Sequence, residues 1–139
     1  MNLISLVVFS LLFVCNSNAR SFLDNTTWTN EFGSQMSIVK AYNGTFIGNY
    51  ISKVGDVNGS YKLVGTYSDL EYDSVLKITM GWSVTWVNYN KAIRSTTTWS
   101  GRVIDENTID ALWMETTALE HDIWKSTSIN KDTFKKQSK

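Results

Sequence analysis

Between Gly81 and Gly101 the chain reads GWSVTWVNYNKAIRSTTTWSG, with Trp82, Trp86 and Trp99 accompanied by Ser95 and Thr97 at alternate positions before the last indole. Indoles and small hydroxyls repeated with a period of two are suited to holding a ligand: rings give dry walls, and hydroxyls give directed hydrogen bonds. If Trp99 faces an interior, Ser95 and Thr97 face it too, and a buried hydroxyl left without a partner costs roughly 1–3 kcal/mol. A polar ligand would supply those partners; backbone or trapped water would also do so. The residues alone therefore fit both a plain aromatic core and a cavity for a small molecule.

Groups for catalysis are scarce. His121 is the single histidine; it lies in Leu119-Glu120-His121-Asp122 and reads as a surface residue with no nucleophile beside it. Cys15 is the single cysteine, so a zinc site has too few ligands. Asp69, Glu71 and Asp73 fall between predicted strands and read as a solvated turn, not a calcium loop or an acid pair. There is no phosphate-binding glycine loop. The chain is predicted to be no enzyme and to carry no cofactor and no metal.

The elements that must position these side chains are strands. Segments of β-forming residues with a period of two run over Thr27–Glu31, Gln35–Lys40, Thr45–Ile51, Tyr61–Tyr67, Lys77–Val87, Ile93–Val103, Thr108–Thr117 and Ile123–Phe134. Asn43-Gly44 carries the signal of a tight hairpin turn, and no segment keeps a helical period. Eight short-linked strands predict an all-β, up-and-down antiparallel barrel, because closure removes the exposed edges. Ile78, Met80, Trp82, Val84 and Trp86 share the inward parity of the long strand.

Composition bounds the partners. Lys plus Arg and Asp plus Glu number 13 each, so nothing draws the chain to nucleic acid or to an anionic membrane. Residues 1–19, MNLISLVVFSLLFVCNSNA, contain an apolar run too short to span a bilayer and end in small residues; they read as a secretory signal cut after Ala19. Residues 20–139 then form one domain, secreted and free of cysteine, since Cys15 leaves with the signal. Asn25, Asn43 and Asn58 each open an Asn-X-Ser/Thr glycosylation motif.

Six segments in order, TWTNEFGSQM (27–36), FIGNYISKVGDVNGSYKLVGTY (46–67), GWSVTW (81–86), STTTWSG (95–101), LWM (112–114) and WKSTSINKDTF (124–134), resemble the successive strands of the avidin and streptavidin family of biotin-binding proteins. The resemblance implies a secreted protein that sequesters biotin without a catalytic step. It implies that Asn30, Ser34 and Tyr50 donate to the ureido oxygen, and that Asp132 and Ser52 accept from the ureido N–H groups. Trp86, Trp99 and Trp113 would wall the bicycle, with Thr97 facing the ring sulfur. Ser95 and the backbone N–H of Asp56, in the lid-like loop Ser52–Asn58, would meet the valerate carboxylate. Trp124 would cap the site of a neighbouring subunit, which implies a homo-oligomer, in this family usually a homotetramer. Trp28 and Trp82 match no ligand contact and are predicted to be core.

The chain departs from the family's pattern in places. Glu115 shares the inward parity of Trp113 where the family usually has Leu, so free biotin is expected to bind less well than amide-linked biotin. Lys131 occupies a position at a subunit contact, and like charges meeting there would favour a dimer over a tetramer. The connection from Trp99 to Trp113 is short and must turn at Asp105-Glu106-Asn107. Other readings are a lipocalin-like carrier of an apolar ligand, or a structural or adhesion barrel that has lost its site. The former has no need of Asn30, Ser34, Tyr50 and Asp132 at one end.

Overall fold

The computed structural model describes residues 21–55, 59–68, 78–88, 93–118 and 126–138. The expected signal segment, Asp56, Asn58, His121, Trp124 and the Asp69–Asp73 cluster lie outside these residues.

Eight strands, β1 (Thr26–Asn30), β2 (Gln35–Tyr42), β3 (Thr45–Ile51), β4 (Tyr61–Tyr67), β5 (Thr79–Asn88), β6 (Ile93–Asp105), β7 (Thr108–Thr117) and β8 (Thr127–Lys136), follow one another around a closed barrel. Every neighbouring pair is antiparallel, and β8 returns to β1 through Trp28↔Lys136 and Asn30↔Phe134. The predicted up-and-down barrel is thus the observed one.

Alternation explains which residues fill it. β3 buries Phe46, Gly48 and Tyr50 and exposes the residues between them; β4 likewise buries Leu63, Gly65 and Tyr67. The closed end is packed by Leu23, Trp28, Met36, Phe46, Ile109 and Phe134, none more than 1% exposed. Trp28 and Trp82 are both buried in this core, as predicted. The segment before β1 seals that end: Thr26 Oγ1 donates to Leu23 O at 2.6 Å and accepts from Trp28 Nε1 at 2.9 Å. The Lys136 ammonium lies 4.3 Å from the centroid of the Phe22 ring, closing the same end from β8.

Turn chemistry sets the register. Asn43 (φ 49°) and Gly44 (φ 74°) both take the left-handed conformation between Tyr42 and Thr45, the geometry a two-residue hairpin demands. Asn25 and Asn43 are exposed at turns. The β6–β7 turn forms at Glu106 and Asn107, with the Asn107 amide donating to Asp105 Oδ1 at 2.8 Å, where the sequence placed it. Two irregularities carry no sequence signal: the register shifts between Ile38 and Lys40 on β2 and between Val103 and Asp105 on β6. Beside the first, Gly48 lies so close to β2 that a Cβ there would stand 1.9 Å from Ser37 O.

Candidate functional site

The end of the barrel opposite the Leu23–Phe134 plug holds a cavity of about 520 Å³. Asn30, Ser34, Tyr50, Ser52, Trp86, Ser95, Thr97, Trp99, Trp113 and Asp132 all line it, which are ten of the site residues nominated from the sequence. The other two, Asp56 and Trp124, lie outside the described residues.

Donors gather at the deep end. The β1–β2 turn fixes Asn30 because its Oδ1 accepts the Ser34 amide at 2.8 Å and the Phe32 amide at 3.1 Å. With Oδ1 spent on the turn, the Asn30 Nδ2 donor is what remains for the cavity. Ser34 is 1% exposed, and its Oγ accepts the Lys53 amide at 2.9 Å, tying the β1–β2 turn to the loop after β3. Tyr50 descends from β3 with its ring 5.2 Å from Trp99 and edge-on to Trp86 at 5.6 Å. Burial, and then the nearby Asp132 charge, push its phenol above the ordinary range, so Tyr50 stays a protonated donor. Three donors converging there can bind one strongly accepting oxygen.

Asp132 stands beside them on β8, its Oδ2 accepting Trp99 Nε1 at 2.9 Å. Burial raises its carboxyl above the ordinary 3.8; the Trp99 bond opposes this, Glu31 adds to it, and Asn30 and Trp113 oppose it. This environment thus favours the proton on Asp132 more than solvent does. A folded value above the unfolded one means stability is full below 3.8 and is lost as pH rises through the folded value. In a series of thermal melts of the empty protein, the advantage of the native chain over Asp132→Asn is expected to shrink as pH climbs through that window. A ligand N–H donating to the carboxylate favours the ionised form, so its affinity moves the opposite way with pH.

Along the walls, β5 and β6 pair Trp86 with Ser95, Val84 with Thr97 and Trp82 with Trp99. Trp82 stacks on Trp99 at 5.6 Å with 6° between the planes, so a core indole backs a pocket indole. Trp86 Nε1 donates to Thr97 Oγ1 at 2.7 Å, and Thr97 Oγ1 donates to Glu115 Oε2 at 3.1 Å. The Thr97 proton is therefore committed to Glu115, a partner the sequence did not suggest. Ser52 turns on its own loop, donating to Val54 O at 2.8 Å and accepting the Val54 amide at 3.2 Å. Its proton used, Ser52 faces the cavity as an acceptor.

Phe32, Val54, Gly55, Glu115, Thr117 and Asn130 complete the lining. Of these only Glu115 was singled out from the sequence. Asn130 shares the parity of Asp132 and could have been found by that rule, whereas Phe32 sits in a turn where periodicity says nothing. Among the described residues no group of three or more His, Cys, Asp and Glu could hold a metal ion. The arrangement is that of a receptor: donors and an acceptor at the deep end, aromatic walls, and hydroxyls at intervals.

Comparison with known proteins agrees with this geometry. Residues 18–137 match the Avidin family. Avidin-related protein 3 of Gallus gallus is 31% identical over 144 residues, covering 97% of this chain and 92% of that protein. Avidin-related protein 7 of Gallus gallus is 30% identical over 143 residues, with the same coverage of 97% and 92%. The crystal structure of core-bradavidin superposes with a TM-score of 0.65 at 24% identity, covering 81% of this chain and 99% of that one, which supports the barrel fold.

Proposed function

The chain belongs to the avidin family of non-catalytic binding proteins, and from that premise we propose that its barrel binds and sequesters biotin. The observation that carries the reading is the convergence of Asn30, Ser34, Tyr50 and Asp132 at the deep end of a cavity walled by Trp86, Trp99 and Trp113. Biotin is an apolar bicycle with a polar ureido edge. The three donors suit its carbonyl oxygen, Asp132 and Ser52 suit its N–H groups, and the indoles suit its ring and alkyl chain. A carrier of purely apolar ligands would gain nothing from a buried carboxylate and three donors there.

Secretion follows the same reading, with residues 1–19 as the signal and Asn25, Asn43 and Asn58 as glycosylation sites. So does assembly into a homo-oligomer, a tetramer or a dimer, in which Trp124 would serve a neighbour's site, while within a subunit the backbone N–H of Asp56 would meet the valerate carboxylate. Support for assembly comes from the outer face of β7 and β8, where Met114 (46% exposed) pairs with Ile129 (71%) and Leu112 (64%) pairs with Lys131.

Biotin titrated into the mature protein, followed by tryptophan fluorescence with the mass read by light scattering in the same buffer, tests both parts. Saturable quenching at one biotin per subunit is expected, with desthiobiotin also binding because the ureido contacts remain. No response to either ligand would leave a barrel with a structural task.

A further inference from the structure

Glu115 is the feature of the pocket that its neighbours do not explain. It lies half-buried on β7, paired with Thr97 of β6, and lines the same cavity as Asp132. Thr97 Oγ1 donates to its carboxylate at 3.1 Å, and Thr97 is itself fixed by Trp86 Nε1 at 2.7 Å. The carboxylate is therefore tied into the wall and does not swing freely into solvent.

Its place along the strand matters. Asp132 pairs with Ala111, and Glu115 lies four residues farther along β7, about 13 Å toward the mouth at the rise of a strand. A ligand whose ureido head meets Asp132 brings its tail to Glu115. Among the described lining residues are these two acids and no Lys, Arg or His. Of the adjacent bases, Lys53 is exposed with its Cγ near the Gly33 turn, and Arg94 is exposed on the parity opposite to Ser95. An anionic tail would meet a fixed carboxylate with no cation among these residues to offset it. A neutral tail avoids that repulsion, and a cationic one gains attraction.

We propose that Glu115 selects the ligand class of this pocket: biotin carried through an amide on a neutral or cationic tail, as on a biotinylated lysine side chain, in preference to the free acid. The proposal rests on the biotin reading above. It makes the protein a receptor for conjugated biotin first and for the free vitamin second. The amide N–H of such a conjugate also offers a donor to the Glu115 carboxylate or to the Ser95 and Thr117 hydroxyls beside it.

The test uses biotin, its primary amide and its ethylenediamine monoamide, in competition against one fluorescent conjugate, on the native chain and on Glu115→Gln. Glutamine keeps an oxygen to accept from Thr97 while removing the charge. On the native chain at low salt, free biotin is expected to bind at least about tenfold more weakly than the primary amide, and the cationic amide to bind best. Added salt should narrow the spread. In Glu115→Gln the acid and the primary amide should come within about twofold, because the acid gains affinity once the opposing charge is gone, and the cationic amide should lose its advantage over the primary amide. Equal affinities for acid and amide on the native chain would overturn the proposal, as would a gap that survives in the variant. Equal weakening of all three ligands by the variant would assign Glu115 a packing role and overturn it too. Should the variant not fold, the acid–amide gap and its salt dependence on the native chain decide. If no ligand binds to the native chain, the biotin reading itself fails and the proposal falls with it, an outcome distinct from equal binding.

Discussion

Trp99→Ala is expected to cost the barrel roughly 3–5 kcal/mol and to weaken biotin binding about 100-fold or more. Three interactions end at this one ring. It stacks on Trp82 at 5.6 Å on the core side, lies 5.2 Å from Tyr50, and donates Nε1 to Asp132 at 2.9 Å. Truncation opens a void between core and pocket, and no side chain on the strand ladder can swing in to fill it. It also leaves Asp132 buried without its indole donor, which costs a further part of the same sum. Thermal melts should show the midpoint falling by about 10 °C or more, and fluorescence titration gives the affinity. Trp99→Phe separates the terms: the stack survives and only the bond to Asp132 is lost. If Trp99→Ala melted within a degree or two of the native chain, the ring would not be a shared wall.

Gly48→Ala is the second large effect, and it acts through backbone alone. The added Cβ would stand 1.9 Å from Ser37 O, 2.9 Å from Ser37 C and 3.1 Å from Ile38 Cα. No rotamer relieves a clash with main-chain atoms, so β2 and β3 must part where the register already shifts around Val39. The expected loss is roughly 3 kcal/mol or more, read as a lower midpoint in urea unfolding. Tyr50, two residues along β3, should lose its aim in the same variant, so affinity falls with stability. Gly81→Ala is the control, since the nearest atom there is Trp99 O at 3.4 Å, an ordinary contact. Comparable losses in both variants would mean the close approach of β2 to Gly48 is not what matters.

Much of this fold is legible in the sequence because period-two alternation is a local signal. Thr45–Ile51, Tyr61–Tyr67 and Thr108–Thr117 have the bounds that alternation predicts. β8 is less legible: it runs on to Lys136, two residues past the predicted end, and buries only Asp132 and Phe134 on its inner parity. Its predicted start at Ile123 lies outside the described residues. The bulges near Val39 and Ile104 are set by how neighbouring strands coil around the barrel, and nothing in their own residue types reveals them.

The site divides in the same way. Parity and resemblance nominate which side chains face the cavity, and the ten that fall within the described residues do line it. What each polar atom is doing was not legible. Asn30 gives its oxygen to two turn amides, Ser52 gives its proton to Val54, and Thr97 gives its proton to Glu115. The expectation that Thr97 serves a ring sulfur took no account of Glu115. For Asp132 the sequence indicates an acceptor but not the balance at the carboxyl, where desolvation outweighs the hydrogen bonds of its protein neighbours. Such balances depend on depth and distance, which spacing along the chain does not encode.

β8 joins first and last parts of the chain: it pairs with β1, and the Thr133 amide reaches back to Glu31 Oε2 at 2.9 Å. It leaves the ribosome after the other seven strands, and it carries Asp132. Until it arrives, β1 and β7 each present an unpaired edge, and the donors on Asn30, Ser34 and Tyr50 have no carboxylate to face. Closure by so distant a pairing is slow compared with hairpin formation. Sealing the barrel and bringing the Asp132 acceptor to this chain's own part of the pocket are therefore one event.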